Sequence, residues 1–598
     1  MSRLLYAVLL SATALPATAQ QTTDAVDPEI AVETTTADAF ATLSDAARAA
    51  MDAKEAGTPV EAQNWMIAAA NPHAVEAGAK VLRAGGSAAD AMVAVQVMLG
   101  LVEPQSSGLG GGAFLVYYDA ASGELTTLDG RETAPLAARP TLFQTDDGET
   151  MGFFDAVVGG RSVGTPGTPK LLETAHRMWG EANWATLFDD AIAMAEDGFP
   201  VSPRLAGLIA EDMEYLSRSA ETAAYFLPDG NPLQAGATLK NPQYAATLRA
   251  LAMDGADAFY NGPIAGDIVA TVRGAEGNPG VLAPIDLALY DVVERPAVCA
   301  TYRAHEICGM GPPSSGALTV GQILGALEGY NLAALGAENP ESWRLIGDAS
   351  RLAFADRGRY MADSDFVPVP VKGLVAPDYL KARGELLNGD KALEMVEPGN
   401  PAFDHALLWG DDDAIEFPST SHISIVDADG NALSMTTTIE NGFGSRLMTN
   451  GFLLNNELTD FSFSTHDEGR PIANRVEPGK RPRSSMAPTI VMQDGKPTMV
   501  VGSPGGSRII GYVAQTIIAT LDWDMDVQQA VAMPHLVNRF GTYDVEEGTS
   551  AEDLTQPLTD MGFEVGARDL TSGLHVIAVG ETLQGAADPR REGIALGE

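Results

Sequence analysis

At Pro418 the sequence changes texture. Downstream, short runs rich in Ile, Val and Thr predict strands over 421–426, 432–439, 489–492 and 498–502, with Asp429-Gly430 and Asp494-Gly495 as turns. Upstream, from 171 to 395, helical spacing dominates, as over 170–179, 184–197 and 321–335, with few strands between. Helices return over 507–522 and 527–533, and the chain is expected to end on a strand over 573–579. Sheets that carry helices on their outer faces fit an α/β sandwich. At 598 residues core size is not limiting, and no internal repeat divides the chain.

The N-terminus has a different character. Met1-Ser2-Arg3, an apolar run over 4–15 and Ala17-Thr18-Ala19 have the layout of a secretory signal peptide, 1–19, too short to span a bilayer. Residues 20–63 are expected to form a mobile leader with one amphipathic helix. The folded body is expected to begin near Asn64, with a strand over 65–68 and helices over 72–84 and 87–102. No later stretch of the sequence is long and apolar enough to cross a membrane, so the expected location is periplasmic or secreted. The formal charge of −43 is spread along the chain, which argues for a self-repelling surface and against nucleic-acid binding. Cys299 and Cys308 flank a turn at Arg303-Ala304 in a register that makes them face each other; a disulfide and two free thiols both remain open. Two cysteines with no nearby HxxxH or CxxC do not make a zinc site, and no feature demands a metal or organic cofactor.

Two generic motif matches point elsewhere and fail on context. Gly108-Leu109-Gly110-Gly111-Gly112-Ala113 satisfies GxGxxG/A, but a helix precedes it and a strand-like 114–118 follows, the reverse of a dinucleotide loop. Gly160-Arg161-Ser162-Val163-Gly164 satisfies GxSxG, but Pro166, Gly167 and Pro169 stand where a nucleophile elbow needs a helix.

Thr420 stands at the start of the first strand after Pro418; alone, it would be an ordinary strand-edge residue. The surrounding stretches change that reading: 436–445 (TTTIENGFGS), 451–462 (GFLLNNELTDFS), 480–488 (KRPRSSMAP) and 502–508 (GSPGGSR). Upstream stand 128–135 (LDGRETAP), 312–316 (PPSSG) and 354–357 (FADR), and near the C-terminus 585–591 (GAADPRR). Together, and in this order, they resemble the gamma-glutamyltranspeptidase family from about Asn64 to the end. The resemblance implies a four-layer αββα sandwich of the N-terminal nucleophile hydrolase type. It further implies a precursor that cuts itself between Ser419 and Thr420 into a large subunit, 64–419, and a small one, 420–598, that stay together as a heterodimer.

The chemistry explains why a threonine is required. Its hydroxyl attacks the preceding carbonyl, and hydrolysis of the resulting ester frees an α-amine, of unperturbed pKa roughly 7.7 to 8.0, that serves as base for the same hydroxyl. No histidine is then needed, and His422 is read as a packing residue. In a hairpin around Asp429-Gly430, Thr438 lies nearly opposite Thr420, and by resemblance it supports the Thr420 hydroxyl or amine; on pattern alone it would be one of many strand threonines. Gly505-Gly506 sits where a strand gives way to a helix, so amide N–H groups face a developing oxyanion. By resemblance, Arg131, Ser484 and Ser485 bind the α-carboxylate of a gamma-glutamyl substrate such as glutathione, while Asp460 and Glu457 meet its ammonium.

Two departures bear on the substrate. Glu440 stands where better-known members carry asparagine, and 462–484 is short, without a tyrosine gate, which implies an open site. The expected activity is gamma-glutamyl hydrolysis or transfer to water, an amino acid or a peptide. Alternatives are an amidohydrolase acting on poly-gamma-glutamate or cephalosporin-type side chains, and an inert binding relative.

Overall fold

A computed structural model describes residues 39–405, 408–412, 414 and 416–598; the expected signal peptide and the leader as far as residue 38 lie outside these. The architecture grows outward from the hairpin of Ser421–Val426 and Ala432–Thr438. Asp427 builds its turn: its Oδ1 accepts the amides of Asp429 and Asn431 at 3.1 and 2.9 Å, and Oδ2 accepts the Ala88 amide at 2.8 Å. The second contact ties the turn to the start of helix Ala88–Val102, whose N-cap is Ser87.

Pairing outward from this hairpin gives a seven-stranded sheet in the order Ile594–Gly597, Met66–Ala69, Ser421–Val426, Ala432–Thr438, Gly112–Asp119, Glu124–Gly130, Val293–Pro296. The second seven-stranded sheet runs Val60–Ala62, Leu583–Ala587, His575–Val579, Lys496–Gly502, Thr489–Gln493, His305–Gly309, Val298–Tyr302. Strands from before and after Thr420 are interleaved at one side of the first sheet, and in the second the strands from before it flank those from after.

Side chains of period two sort the faces. Ile67, Leu115, Ile423, Ile425, Leu433 and Met435 join one apolar cluster with helices Pro72–Arg83 and Ala88–Val102. Their alternates Met66, Ala68, Val116, Val426 and Ala432 meet Ile490, Val500 and Ile577 of the other sheet. The outer face of that sheet, with Ile307, Val491, Val501 and Val576, packs against helices Gly316–Leu327, Pro340–Tyr360 and Ile509–Leu521. This is a four-layer αββα sandwich. Polar residues also bridge the two sheets, with Ser434 Oγ donating to the Val501 carbonyl at 3.2 Å and Ser424 Oγ to that of His575 at 3.0 Å.

Three expectations are corrected. Part of the expected leader belongs to the body: Phe40, Leu43 and Ala47 are buried, helix Asp45–Glu55 docks through Lys54 Nζ on the carbonyls of Arg591 and Gly593 at 2.9 and 2.7 Å, and Val60–Ala62 pairs with Leu583 to Gly585. The helix expected over 321–335 is Gly316–Leu327, followed by a separate turn, Leu332–Leu335. The chain does not end on 575–579, because Leu583–Ala587 follows and pairs between His575–Val579 and Val60–Ala62, and Ile594–Gly597 forms the edge of the other sheet against Met66–Ala69. Cys299 and Cys308 face each other across the hairpin and are joined in a disulfide, with Arg303 and Ala304 at φ 48° and 63° forming its turn.

Candidate functional site

Thr420 precedes its strand by one residue and is buried, with φ at 103°. The hairpin register brings its Oγ1 to 3.1 Å from Oγ1 of Thr438. Thr438 Oγ1 also accepts the Glu440 amide at 2.8 Å, which fixes the hydroxyl and leaves it one proton and one lone pair for Thr420. From the opposite sheet Gly505 N–H points at the Ser419 carbonyl at 3.4 Å. Arg591 Nη1 donates to the carbonyl of Thr420 at 3.1 Å. Gly505 and Gly506 have φ of 136° and 56°; a Cβ would lie 2.7 Å from the Tyr512 ring at Gly505 and 2.5 Å from the Glu416 carbonyl at Gly506. Only glycine lets these amides approach the chain at 416–419.

His422 is walled in between the sheets, with Nδ1 2.9 Å from Thr436 Oγ1 and Nε2 3.0 Å from Ser424 Oγ. Burial, with His575 nearby, pushes its pKa well below the usual imidazole range, so it packs as a neutral ring. Ser162 is equally remote from chemistry, its Oγ donating to the Val157 carbonyl at 2.6 Å.

Beside Thr420 lies a dense cluster of buried charge. Arg131 donates through Nη1 to Glu457, through Nη2 to Asp460 and, at 2.8 Å, to the Arg483 carbonyl, and through Nε to the Pro482 carbonyl at 3.2 Å. Glu440 accepts the Phe417 amide at 3.2 Å and the side-chain amide of Asn456. Burial raises the carboxyls: Glu440 to about 7, neighbouring Glu132 to about 8, and Glu457 and Asp460 well above the carboxylate range. In the uncut chain the two serines expected to act with Arg131 have partners of their own. Ser484 Oγ accepts the Met486 amide at 3.1 Å, and Ser485 Oγ accepts from Arg357 Nη2 at 2.8 Å.

Glu132, Arg357, Arg483 and Arg591 were not singled out as site residues, although each stands inside a motif quoted above. The missing signal is spatial: Arg357 lies on helix Pro340–Tyr360 and Arg483 in the lead-in to Thr489–Gln493, and only packing joins them.

The open mouth expected from the short 462–484 connection is not what the uncut chain shows. That connection forms a small hairpin, His466–Asp467 with Arg470–Pro471, and the segment before Thr420 lies along it. Gly410 N–H donates to the Pro471 carbonyl at 3.0 Å, and Asn474 Nδ2 holds Asp412 Oδ2 at 3.1 Å and the Asp460 carbonyl at 2.8 Å. In the uncut chain the segment thus lies between this connection and Thr420.

The family model for gamma-glutamyltranspeptidase matches residues 74–598. A glutathione hydrolase proenzyme of Bacillus subtilis (strain 168) is 38% identical over 548 residues, which are 90% of this chain and 92% of that protein. One from Escherichia coli (strain K12) is 35% identical over 89% and 91% of the two chains. The acylase ACY 1 proenzyme of Pseudomonas sp. (strain SE83) is 33% identical over 90% and 94%. Among solved structures, the cephalosporin acylase from Bacillus halodurans matches with a TM-score of 0.79 at 25% identity over 90% of this chain and 97% of its own. The gamma-glutamyltranspeptidase of Helicobacter pylori matches with 0.54 at 34% identity, over 56% and 96%. The chain belongs to the gamma-glutamyltranspeptidase family.

Proposed function

We propose that this chain is a self-processing gamma-glutamyl hydrolase and transferase with Thr420 as nucleophile, acting outside the cytoplasm. The observation that carries the reading is a pair of contacts at one peptide: the Thr420 hydroxyl against that of Thr438, and Gly505 N–H against the Ser419 carbonyl. Thr420 Oγ attacks that carbonyl, its C–N bond breaks, and the acyl group shifts to the oxygen. Water then cleaves the ester and leaves a carboxylate at Ser419 and an amine at Thr420. With the segment withdrawn, the amine takes the hydroxyl proton as Oγ attacks a donor's γ-carbonyl. The proton passes to the departing amine, and water or an amino acid or peptide removes the acyl group.

Glu440, Glu457, Asp460 and Glu132 place four carboxyls beside a single Arg131, an excess of acid that an incoming ammonium would meet, which supports a gamma-glutamyl donor over the glutaryl type. The ACY 1 and cephalosporin acylase likenesses keep the second reading in view, an acylase that tolerates donors without that ammonium.

The test begins with purified protein incubated alone and every chain identified by N-terminal sequence and mass. A chain starting at Thr420, produced by the wild type and by Thr420→Ser but not by Thr420→Ala, is expected. An intact wild-type chain overturns the mechanism. Hydrolysis of a γ-glutamyl anilide in preference to the glutaryl anilide is expected of the processed protein; the opposite preference favours the acylase reading.

A further inference from the structure

One buried guanidinium beside the Ser419–Thr420 peptide has no part in the reading above. Arg591 stands in the loop between Leu583–Ala587 and Ile594–Gly597, and that loop is pinned on both sides of it. Asp588 Oδ2 accepts the Leu574 amide at 3.2 Å and Oδ1 the Arg590 amide at 2.9 Å, and Arg590 Nη2 reaches Glu546 Oε2 at 2.7 Å. Lys54 Nζ, on helix Asp45–Glu55, donates to the carbonyls of Arg591 and Gly593 at 2.9 and 2.7 Å. Backbone held this firmly aims the Arg591 side chain. The residue is 5% exposed, and among the described residues its one side-chain hydrogen bond runs from Nη1 to the Thr420 carbonyl at 3.1 Å, while Nε has no partner.

The charge of that guanidinium is poorly balanced. Around it stand Glu103 after helix Ala88–Val102, Arg204 in helix Pro203–Glu211, Asp588 in its own loop and Tyr512 in helix Ile509–Leu521, with His575, Lys54 and Glu592 next to these. Asp588 is engaged by Ser572, Leu574 and Arg590. Burial raises Glu103 to about 7 and raises Glu592 as well, which weakens both as counter-ions in the acid range. Burial also keeps Tyr512 and His575 neutral. Burial and Arg204 push the pKa of Arg591 down to about 9, which leaves it a cation at neutral pH. Across the hairpin Glu440, two residues beyond Thr438, is raised to about 7 in its turn, with Arg131 and its acids behind it. The carbonyl oxygen and the nitrogen of one residue lie about 3 Å apart, so the cation that touches the first is within about 7 Å of the second. A like charge that near lowers the pKa of an ammonium by about one unit.

We propose that Arg591 is a positioning residue for the α-amine that the cut frees: bonded to the Thr420 carbonyl, it orients that amine, and its charge keeps the amine unprotonated, and so able to act as a base, near neutral pH. The proposal rests on Thr420 as the nucleophile. In the uncut chain the same nitrogen belongs to a peptide and has no basicity to adjust, so the effect of the charge begins with processing.

The test follows kcat for a γ-glutamyl anilide across the pH range in the processed wild type, Arg591→Lys and Arg591→Gln. The acid limb of Arg591→Gln is expected about one pH unit above that of the wild type, so that kcat falls about tenfold at the acid end and changes little at the alkaline end. Arg591→Lys, which keeps the charge, is expected to keep the limb. A residue that only shapes its loop lowers kcat by one factor at every pH; such a parallel drop, or a lysine variant whose limb moves as far as that of the glutamine variant, overturns the proposal. Glu103→Gln carries the test if Arg591→Gln does not fold or does not cut itself. Loss of the acid that partly balances Arg591 is expected to move the limb down by about half a unit, and a limb that stays or rises overturns the proposal. The two readings fail separately. A wild-type chain that stays intact overturns Thr420 as nucleophile and this role with it; a processed wild type that turns over, with an unmoved limb in the variants, overturns the role of Arg591 alone.

Discussion

Thr420 carries a β-branched side chain at a φ of 103°, a region such residues avoid at a cost of order 1–3 kcal/mol. The strained torsion lies about the N–Cα bond next to the Ser419–Thr420 peptide, so the proposed transfer of the acyl group from nitrogen to oxygen is expected to relieve it. Thr438 holds the Thr420 hydroxyl, the proposed nucleophile, and Thr438→Ala is expected to slow release of the new chain on the order of 100-fold, followed by mass spectrometry. Glu440 gives the pocket a pH dependence. Held near 7 by burial, it meets a donor's ammonium as a neutral carboxyl at pH 5 and as a carboxylate at pH 8. KM for a γ-glutamyl donor is therefore expected to fall as pH rises through about 7, and Glu440→Asn to flatten that limb while leaving the amine's effect on kcat. The same shift has a stability sign. A carboxyl raised in the folded state contributes stability that is fully present below its unfolded pKa, 4.5, and is lost as pH climbs through about 7.

At the scale of elements, the disulfide closes the turn between Val298–Tyr302 and His305–Gly309 at the edge of its sheet, outside the site. Closing so short a loop is worth about 2–3 kcal/mol in the chain-entropy model. Replacing both cysteines by serine is expected to speed amide exchange over 305–309 and to leave turnover unchanged. The central hairpin was legible because Ile, Val and Thr alternate through it and Asp429-Gly430 marks its turn. Leu583–Ala587, with a glycine and two alanines, has no such preference of its own; pairing on both sides imposes its strand. The start of Gly316–Leu327 was hidden for another reason: Ser315, its N-cap, spends its hydroxyl on the Ser484 carbonyl at 2.7 Å instead of on the helix. Of the site, the hairpin and the glycine pair could be read locally. The grouping of Glu132, Arg357, Arg483 and Glu416 could not, since it depends on where distant elements come to rest.

Across the whole molecule the strands before and after Thr420 are shuffled together. In the sheet that holds Ser421–Val426, Met66–Ala69 lies between Ser421–Val426 and Ile594–Gly597, so a cut at Thr420 leaves neither piece with a complete seven-stranded sheet. The processed protein is expected to elute as one species and to melt without prior loss of either chain, checked by size exclusion with denaturing gels across a thermal ramp. The order of events in time follows from the same shuffle. While the chain is continuous, Met66–Ala69 finds its slot by a search within one molecule; after the cut, two separate solutes must meet and thread their strands between one another at whatever concentration they happen to have. With the proposed cut the protein is in this sense written once: its native arrangement is reached by way of a covalent bond that the processed molecule no longer contains.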